Sequence, residues 1–188
     1  MPKDLLLFDT PGPTNTAQTL AAAVARAEEL GLRYLVVAST TGDTAEALRR
    51  EVGERDMQVV CVSYHAEFRG GDEVMPRERR VELREQGIEV VIGSHALSGV
   101  ERAIYNKFGT IGPVELMAHC LRCFGQGIKV AVEVAVMAAD SAAAPTSEDI
   151  VAIGGSGKGA DAAVVIRAAH QNNFFDLRVR EIIAMVRG

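Results

Sequence analysis

The sequence predicts an α/β protein with three layers, in which a mostly parallel sheet carries helices on both faces and has a mixed or antiparallel C-terminal edge. Short apolar runs alternate with helical patterns along the first half of the chain. The stretch from Leu5 to Ala38 has the roughly 30 residues that a strand–helix–strand crossover needs. The last three strand-like runs are too closely spaced for further crossovers, which predicts the mixed edge.

The elements of the first half follow from apolar runs and helix caps. Leu5 to Phe8 reads as the first strand, which Pro11-Gly12-Pro13 stops. Asn15 or Thr16 then caps a helix that ends at Gly31, a residue suited to the left-handed stop of a helix. The same alternation predicts two more helices, ending near Gly53 and at Gly87, and three more strands, at 34–38, 58–63 and 89–92.

The second half begins with two predicted helices, at 99–108 and 113–124. The run 129–137 is interpreted as a strand, because a strand that is covered on both faces has little polar alternation. Asp140 would then follow the carboxyl end of that strand. Further strands are predicted at 150–153, 162–166 and 178–185.

Composition narrows the class of protein. A chain of 188 residues with 48% hydrophobic and 24% charged residues predicts one folded domain over 1–188. The net charge of −5 and the lack of a basic cluster argue against a nucleic-acid partner, since binding to a phosphate backbone needs a basic surface.

The sequence also bears on where in the cell the protein is located. No apolar run approaches the length of a membrane span, and the four apolar residues after Met1-Pro2-Lys3-Asp4 are too few for a signal peptide. Three cysteines are an odd number, which argues against a disulfide framework and favours a reducing cytoplasm. The single pair Cys120-Leu121-Arg122-Cys123 lies well inside a predicted helix, so we interpret it as structural.

Histidines and hydroxyls follow several predicted strands. His65 and Ser63, His95 and Ser94, and His170 all come directly after or near an apolar run. Because ligands bind at the carboxyl ends of parallel strands, these side chains predict a crevice for a small ligand. Each histidine could instead be a hydrogen-bonded structural group or a general acid or base. None of the usual zinc-ligand spacings is present, so no metal site is predicted.

Two loops are candidates for holding a phosphate. Ser39–Thr44 offers hydroxyls and a glycine at a helix start, where free N–H groups favour an anion, although Thr41 or Asp43 could simply cap the helix. Gly154–Gly159 has four glycines and Lys158 but matches neither the P-loop nor the dinucleotide fingerprint, so a tight turn between strands is the alternative. The sequence does not decide which loop would hold the phosphate.

The candidate ligand-binding set collects the polar residues and glycines expected at this crevice. It comprises Thr10, Ser39, Thr40, Thr41, Gly42, Asp43, Thr44, Ser63, His65, Ser94, His95, Ser98, Asp140, Gly154, Gly155, Ser156, Gly157, Lys158 and His170.

Residues 22–65 resemble the C-terminal α/β domain of pyruvate kinase. The resemblance rests on an Ala-rich helix, the strand and turn at 35–45 and the strand that ends in Val62-Ser63. In that family the turn binds a phosphate of an allosteric effector. Asp43 stands where the family's motif usually has arginine, so the resemblance does not by itself imply a sugar-bisphosphate site here.

Nearly the whole chain is similar to small proteins that resemble the pyruvate kinase α/β domain. The stretches that carry this likeness are 63–65, 94–102, 137–141, 159–167 and 169–175. The resemblance implies bound flavin mononucleotide (FMN), no settled reaction and no pyruvate kinase activity, because that chemistry belongs to a separate barrel domain. If the protein is an enzyme, the cofactor implies flavin-dependent redox chemistry.

The leading hypothesis is therefore a cytoplasmic FMN-binding protein. A regulatory module that senses a phosphorylated metabolite is the second, and a hydrolase or transferase acting through a histidine is the third. We also expect a homo-oligomer, because the C-terminal sheet edge needs cover and the related pyruvate kinase domain lies at subunit contacts.

Overall fold

A computed structural model describes residues 5–66 and 74–187, and its strands form one seven-stranded sheet. The spatial order of the strands is β1-β7-β6-β5-β2-β3-β4. Their bounds are β1 Leu6–Phe8, β2 Tyr34–Ala38, β3 Gln58–Ser63, β4 Ile88–Ile92, β5 Asp149–Gly154, β6 Ala162–Arg167 and β7 Arg178–Val186. The helices are α1 Thr16–Leu30, α2 Asp43–Val52, α3 Arg77–Glu85, α4 Glu101–Phe108, α5 Pro113–Arg122 and α6 Gln126–Asp140.

The strand directions confirm the predicted fold class. Strands β5, β2, β3 and β4 are parallel neighbours, whereas β6 runs antiparallel to both β5 and β7. Strand β1 is parallel to β7, so six of the seven strands point the same way. The carboxyl ends of these six strands share one edge of the sheet, which we call the carboxyl edge; the other is the amino edge.

Apolar side chains cover both faces of the sheet. On one face, Leu20 of α1, Leu48 of α2 and Leu83 of α3 pack in one buried cluster with strand residues such as Val37. On the other face, α6 packs in a second cluster with strand residues that include Val36, Val60 and Ile150. The sheet is therefore the middle of three layers, as the sequence predicts.

The segment 129–137 is a helix, and its interpretation as a strand is wrong. It belongs to α6, in which twelve of fifteen residues are buried. A helix buried on almost every side lacks the polar stripe that reveals helical periodicity, so an apolar run of this kind resembles a covered strand. Lys129 and Glu133, four residues apart, lie on one side of the helix and form an ion pair there.

The direction of α6 decides where its ends lie. Gly127 in its first turn packs so closely on Asp161 and Ala162 that a Cβ there would clash, which sets the start of the helix at the carboxyl edge. The helix then runs against the direction of β5, so Asp140 lies at the amino edge. Among the described residues, neither α6 nor any other helix is long and apolar enough to cross a membrane.

Candidate functional site at the carboxyl edge of the sheet

Seventeen of the nineteen predicted site residues lie at or just beyond the carboxyl edge. They come from the connection after β1, the β2–α2 loop, the ends of β3 and β4, and the glycine-rich β5–β6 loop. Ser63 Oγ donates a hydrogen bond to the carbonyl oxygen of Thr40 at 3.2 Å, which ties two neighbouring strand ends together. The parallel strands thus gather most of the candidate set along one side of the sheet.

Asp140 and His170 lie at the opposite edge, so their prediction as members of the same crevice is wrong. His170 follows β6, the antiparallel strand, whose carboxyl end lies at the amino edge. Asp140 ends α6 and accepts hydrogen bonds from the backbone and side chain of Gln171 at 3.1 and 2.7 Å. His170 Nδ1 lies 3.3 Å from Asp140 Oδ1, and the two form a pair of their own.

Two histidines meet at the ends of β3 and β4. The ring centroids of His65 and His95 are 5.1 Å apart, and the rings cross at 67°, an edge-to-face arrangement. Both side chains are half-buried. Two imidazoles from neighbouring strands therefore form a small aromatic surface that keeps one side toward the solvent.

A buried ion pair lies behind His95. Lys129 Nζ and Glu133 Oε2 are 2.5 Å apart, and their side chains are only 8% and 6% exposed. Glu133 Oε1 also accepts the backbone N–H of Leu97 at 2.9 Å. This bond anchors the segment that carries Ser94, His95 and Ser98 to α6, so the position of His95 depends on a charge in the middle of the helix.

The surroundings of His95 favour its neutral form. Burial is the largest cause that lowers its pKa from the ordinary value of 6.5, and His65, Lys129 and Arg102 lower the pKa further. The carboxylate of Glu133 opposes them. A neutral imidazole can donate and accept a hydrogen bond, and it is suited to an uncharged heteroaromatic ring better than to an anion.

The free energy of unfolding should therefore fall as the pH drops through about 6.5. The unfolded chain binds a proton at His95 in this range while the folded protein resists it, so folding is favoured above pH 6.5 and loses this contribution below it. Urea titrations between pH 5 and 8 should show a shallower pH dependence for His95→Asn. His119→Asn, at an exposed position in α5, is the control and should keep the wild-type slope. Equal slopes in all three proteins would contradict the assignment.

The β2–α2 loop, Ser39–Thr44, is closed by its own hydrogen bonds. Ser39 Oγ accepts the N–H of Thr44 at 3.2 Å, at the start of α2. Gly42 has a φ of +91°, and a Cβ there would come within 2.6 Å of Leu83 Cδ1 in α3. Both the left-handed backbone and the close packing therefore require glycine.

Arg79 of α3 reaches this loop from outside the predicted set. Its Nε donates to the carbonyl oxygen of Thr41 at 3.0 Å, and its guanidinium also pairs with Glu46 at 2.9 Å and Asp43 at 3.5 Å. The hydrogen bonds that Glu46 accepts from Arg79 and Gln86 lower the pKa of its carboxyl group to about 2. An arginine from another helix thus reaches this loop, but two carboxylates already share it.

The glycine-rich loop folds around the carboxylate of Asp161. This fully buried side chain accepts the N–H of Gly12 at 3.1 Å and both the N–H and the hydroxyl of Ser156 at 3.2 Å. The N–H of Ala160 in turn donates to Thr16 Oγ1 at 3.1 Å. The inner side of the loop therefore holds an anion of the chain itself, while Gly157 and Lys158 at its tip are exposed.

Sequence reasoning missed four charged residues: Arg79, Lys129, Glu133 and Asp161. The i, i+4 spacing of Lys129 and Glu133 was the available signal for two of them, but it requires the segment to be read as a helix. Asp161 directly follows the glycine-rich stretch, and nothing in the pattern distinguishes it from a solvated turn residue. Arg79 comes from a helix distant in sequence, and local patterns carry no information about that contact.

The three cysteines are free thiols, one of them buried and two exposed. Cys61 is buried, which raises the pKa of its thiol to about 12, while Cys120 and Cys123 are exposed free thiols at the end of α5. Within residues 5–66 and 74–187, no three histidine, cysteine or acidic side chains form a group that could hold a metal ion.

A comparison with protein families supports the same architecture. The family model described as the pyruvate kinase alpha/beta domain matches residues 17–166, which run from the start of α1 to the end of β6. The protein therefore belongs to the pyruvate kinase alpha/beta domain family, and the resemblance to that family noted from the sequence is confirmed. Strands β1 and β7 lie outside the matched range.

Proposed function

We propose that the protein binds FMN along the carboxyl edge of the sheet. The single observation that carries the proposal is the pairing of His65 and His95, which forms a half-buried aromatic surface in the segment that also carries Ser94 and Ser98. Such a surface fits the flat, hydrogen-bonding ring system of a flavin. Bound flavin would supply redox chemistry, while the protein holds and orients it.

The phosphate of FMN would lie at the tip of the glycine-rich loop. Asp161 fills the inner side of that loop, but Lys158 at the tip is exposed and carries a positive charge. At the β2–α2 loop, by contrast, Asp43 and Glu46 oppose an anion and engage Arg79. We therefore favour the glycine-rich loop among the two candidates.

The width of the sheet is compatible with such a ligand. The ends of strands β5 and β4 are separated by three strand spacings across the sheet, with β2 and β3 between them. At ~4.8 Å per spacing, these ends are roughly 14 Å apart. A ligand with an aromatic ring at one end and a phosphate at the other can bridge that distance.

Flavin titration tests the proposal with two ligands. FMN should bind with micromolar affinity, seen as quenched flavin fluorescence, and riboflavin, which lacks the phosphate, should bind more weakly. Lys158→Ala should weaken FMN binding by roughly tenfold, or ~1.4 kcal/mol, and leave riboflavin unaffected. His95→Ala should weaken both ligands, because it removes half of the aromatic surface.

Matched variants separate these effects from a general loss of charge or fold. Lys107→Ala removes a charge from α4, and His119→Ala removes an exposed imidazole from α5; neither should alter binding. Unquenched FMN at millimolar protein would overturn the proposal. If Lys158→Ala and the native protein bind FMN with equal affinity, the phosphate does not bind at the glycine-rich loop.

A sensor of a phosphorylated metabolite is the second candidate, and Arg79 is the observation that favours it. This side chain brings a guanidinium to the β2–α2 loop, the loop that resembles the effector site of pyruvate kinase. A sugar phosphate that raises the melting temperature where FMN does not would favour this function. Arg79→Met should abolish that shift. The cytoplasmic location and the homo-oligomer remain predictions of the sequence.

A further inference from the structure

We propose that the amino edge of the sheet carries a second small-molecule site, for a ligand with a protonated amine. The site is the cavity between the starts of β2, β3 and β4 and the loop that follows α6. It lies on the opposite edge from the proposed flavin site, so the two inferences are independent.

The cavity has the size of a ligand site. Its volume is about 570 Å³, within the range of roughly 300–1,000 Å³ that small-molecule pockets occupy. Tyr34, Gln58 and Glu89 line it from the sheet, and the loop Ser141–Thr146 and His170 line it from the other side.

Three neighbouring strands direct polar side chains into this space. Tyr34 and Gln58 are register partners at the starts of β2 and β3, and Glu89 in β4 is the register partner of Val60. Tyr34 and Val60 both pack in the apolar cluster under α6, so all three polar residues share that face of the sheet. The buried apolar floor therefore changes here to a phenol, an amide and a carboxylate.

The loop after α6 begins with a left-handed helix stop. Ala142 has a φ of +58° and is the only non-glycine residue with positive φ in the described part of the chain. The N–H groups of Ala142 and Ala143 donate to the carbonyl oxygens of Ala139 and Ala138 at 3.0 and 2.9 Å, which ends the helix and turns the chain along the cavity. The short side chains of Ala142 and Ala143 keep the space beside them open.

His170 is held in place at the rim of the cavity. Its Nδ1 faces Asp140 Oδ1 at 3.3 Å, and Asp140 is itself fixed by two hydrogen bonds from Gln171. This contact fixes the orientation of the imidazole ring beside the cavity.

The charges around the cavity favour a cationic ligand. Among the described residues that line the cavity, Glu89 carries a full negative charge, and no lysine or arginine is present. The C-terminal end of α6, with the partial negative charge of the helix dipole, meets the same space. The carboxylate of Glu89 and the negative end of the helix dipole thus favour a protonated amine in this volume, whereas an anion would meet repulsion.

The test uses 1,5-diaminopentane as the probe and 1,5-pentanediol as its uncharged counterpart. Amide resonances in ¹⁵N-labelled protein should shift with the diamine at Tyr34, Gln58, Glu89 and 142–146, and the diol should leave them unchanged. Glu89→Gln should weaken diamine binding tenfold or more. Glu85→Gln, an exposed glutamate in α3 on the other face of the sheet, should bind like the native protein.

Three results would overturn the proposal: equal shifts with the diol, diamine shifts centred elsewhere, or unchanged affinity in Glu89→Gln. FMN present at saturation should leave the diamine affinity unchanged, because the two sites lie at opposite edges. A protein that binds the diamine but no FMN would disprove the flavin proposal alone, and the reverse result would disprove this one alone.

Discussion

Replacing Lys129 by methionine should lower the free energy of unfolding by about 3–5 kcal/mol, because breaking a buried ion pair leaves an uncompensated charge inside the protein. Among the described residues, the carboxylate of Glu133 would keep the N–H of Leu97 as its hydrogen-bond donor, in a position that is 4% exposed. Urea denaturation measures the loss directly.

The double variant K129M/E133M should be more stable than K129M, since it removes both charges and leaves only the Leu97 N–H without an acceptor. The matched control is the exposed pair of Arg33 and Asp56, whose side chains are 55% and 89% exposed. Arg33→Met should cost less than about 1 kcal/mol, as exposed ion pairs contribute little. A double variant no more stable than K129M would show that the charge is not the cause.

Asp161→Ala should cost at least about 3 kcal/mol of stability. The substitution removes a fully buried carboxylate and leaves the N–H groups of Gly12 and Ser156 without their acceptor, and hydrogen bonds to charged groups contribute about 1.5–3 kcal/mol each. The glycine-rich loop should also detach from the connection after β1.

Amide hydrogen exchange distinguishes a local opening from a general loss of stability. In Asp161→Ala, the amides of Gly12 and Ser156 should exchange faster by more than the global destabilisation accounts for. Asp176→Ala, at an exposed position, is the control and should change neither the stability nor these amides. Native-like protection of Gly12 in Asp161→Ala would mean that another acceptor replaces the carboxylate.

The overall fold could be predicted from the sequence because short local patterns mark most of its helices and strands. Apolar runs of three to six residues, with glycine stops such as Gly31 and Gly53, mark β1 to β4 and their helices. The single failure, α6, has a physical cause: a helix buried on nearly every side has no polar face for a pattern to reveal. The family comparison and the order of strands in the sheet agree with the predicted fold class.

The candidate site was accessible only in part, since one reversed strand changes which edge a residue occupies. The close spacing of the last strands predicts a mixed or antiparallel edge, but the prediction of His170 in the crevice did not use this direction, which carries His170 to the amino edge. Likewise, the partners of Arg79 and Asp161 come from segments far away in sequence, with separations of 38 residues for Thr41 and 149 for Gly12. Residue composition and motif spacing do not predict contacts between residues so far apart in sequence.

Strand β1 depends on the last strand of the chain for its place in the sheet. It occupies an outer position, and its one neighbour is β7, which begins at Arg178. During synthesis on the ribosome, Leu6–Phe8 is therefore made before the other six strands of the sheet but has no strand to pair with until β7 has been made. Strand β1 should therefore become protected from proteases later than β2 to β5, although it is made before them, which inverts the usual order of folding along a chain.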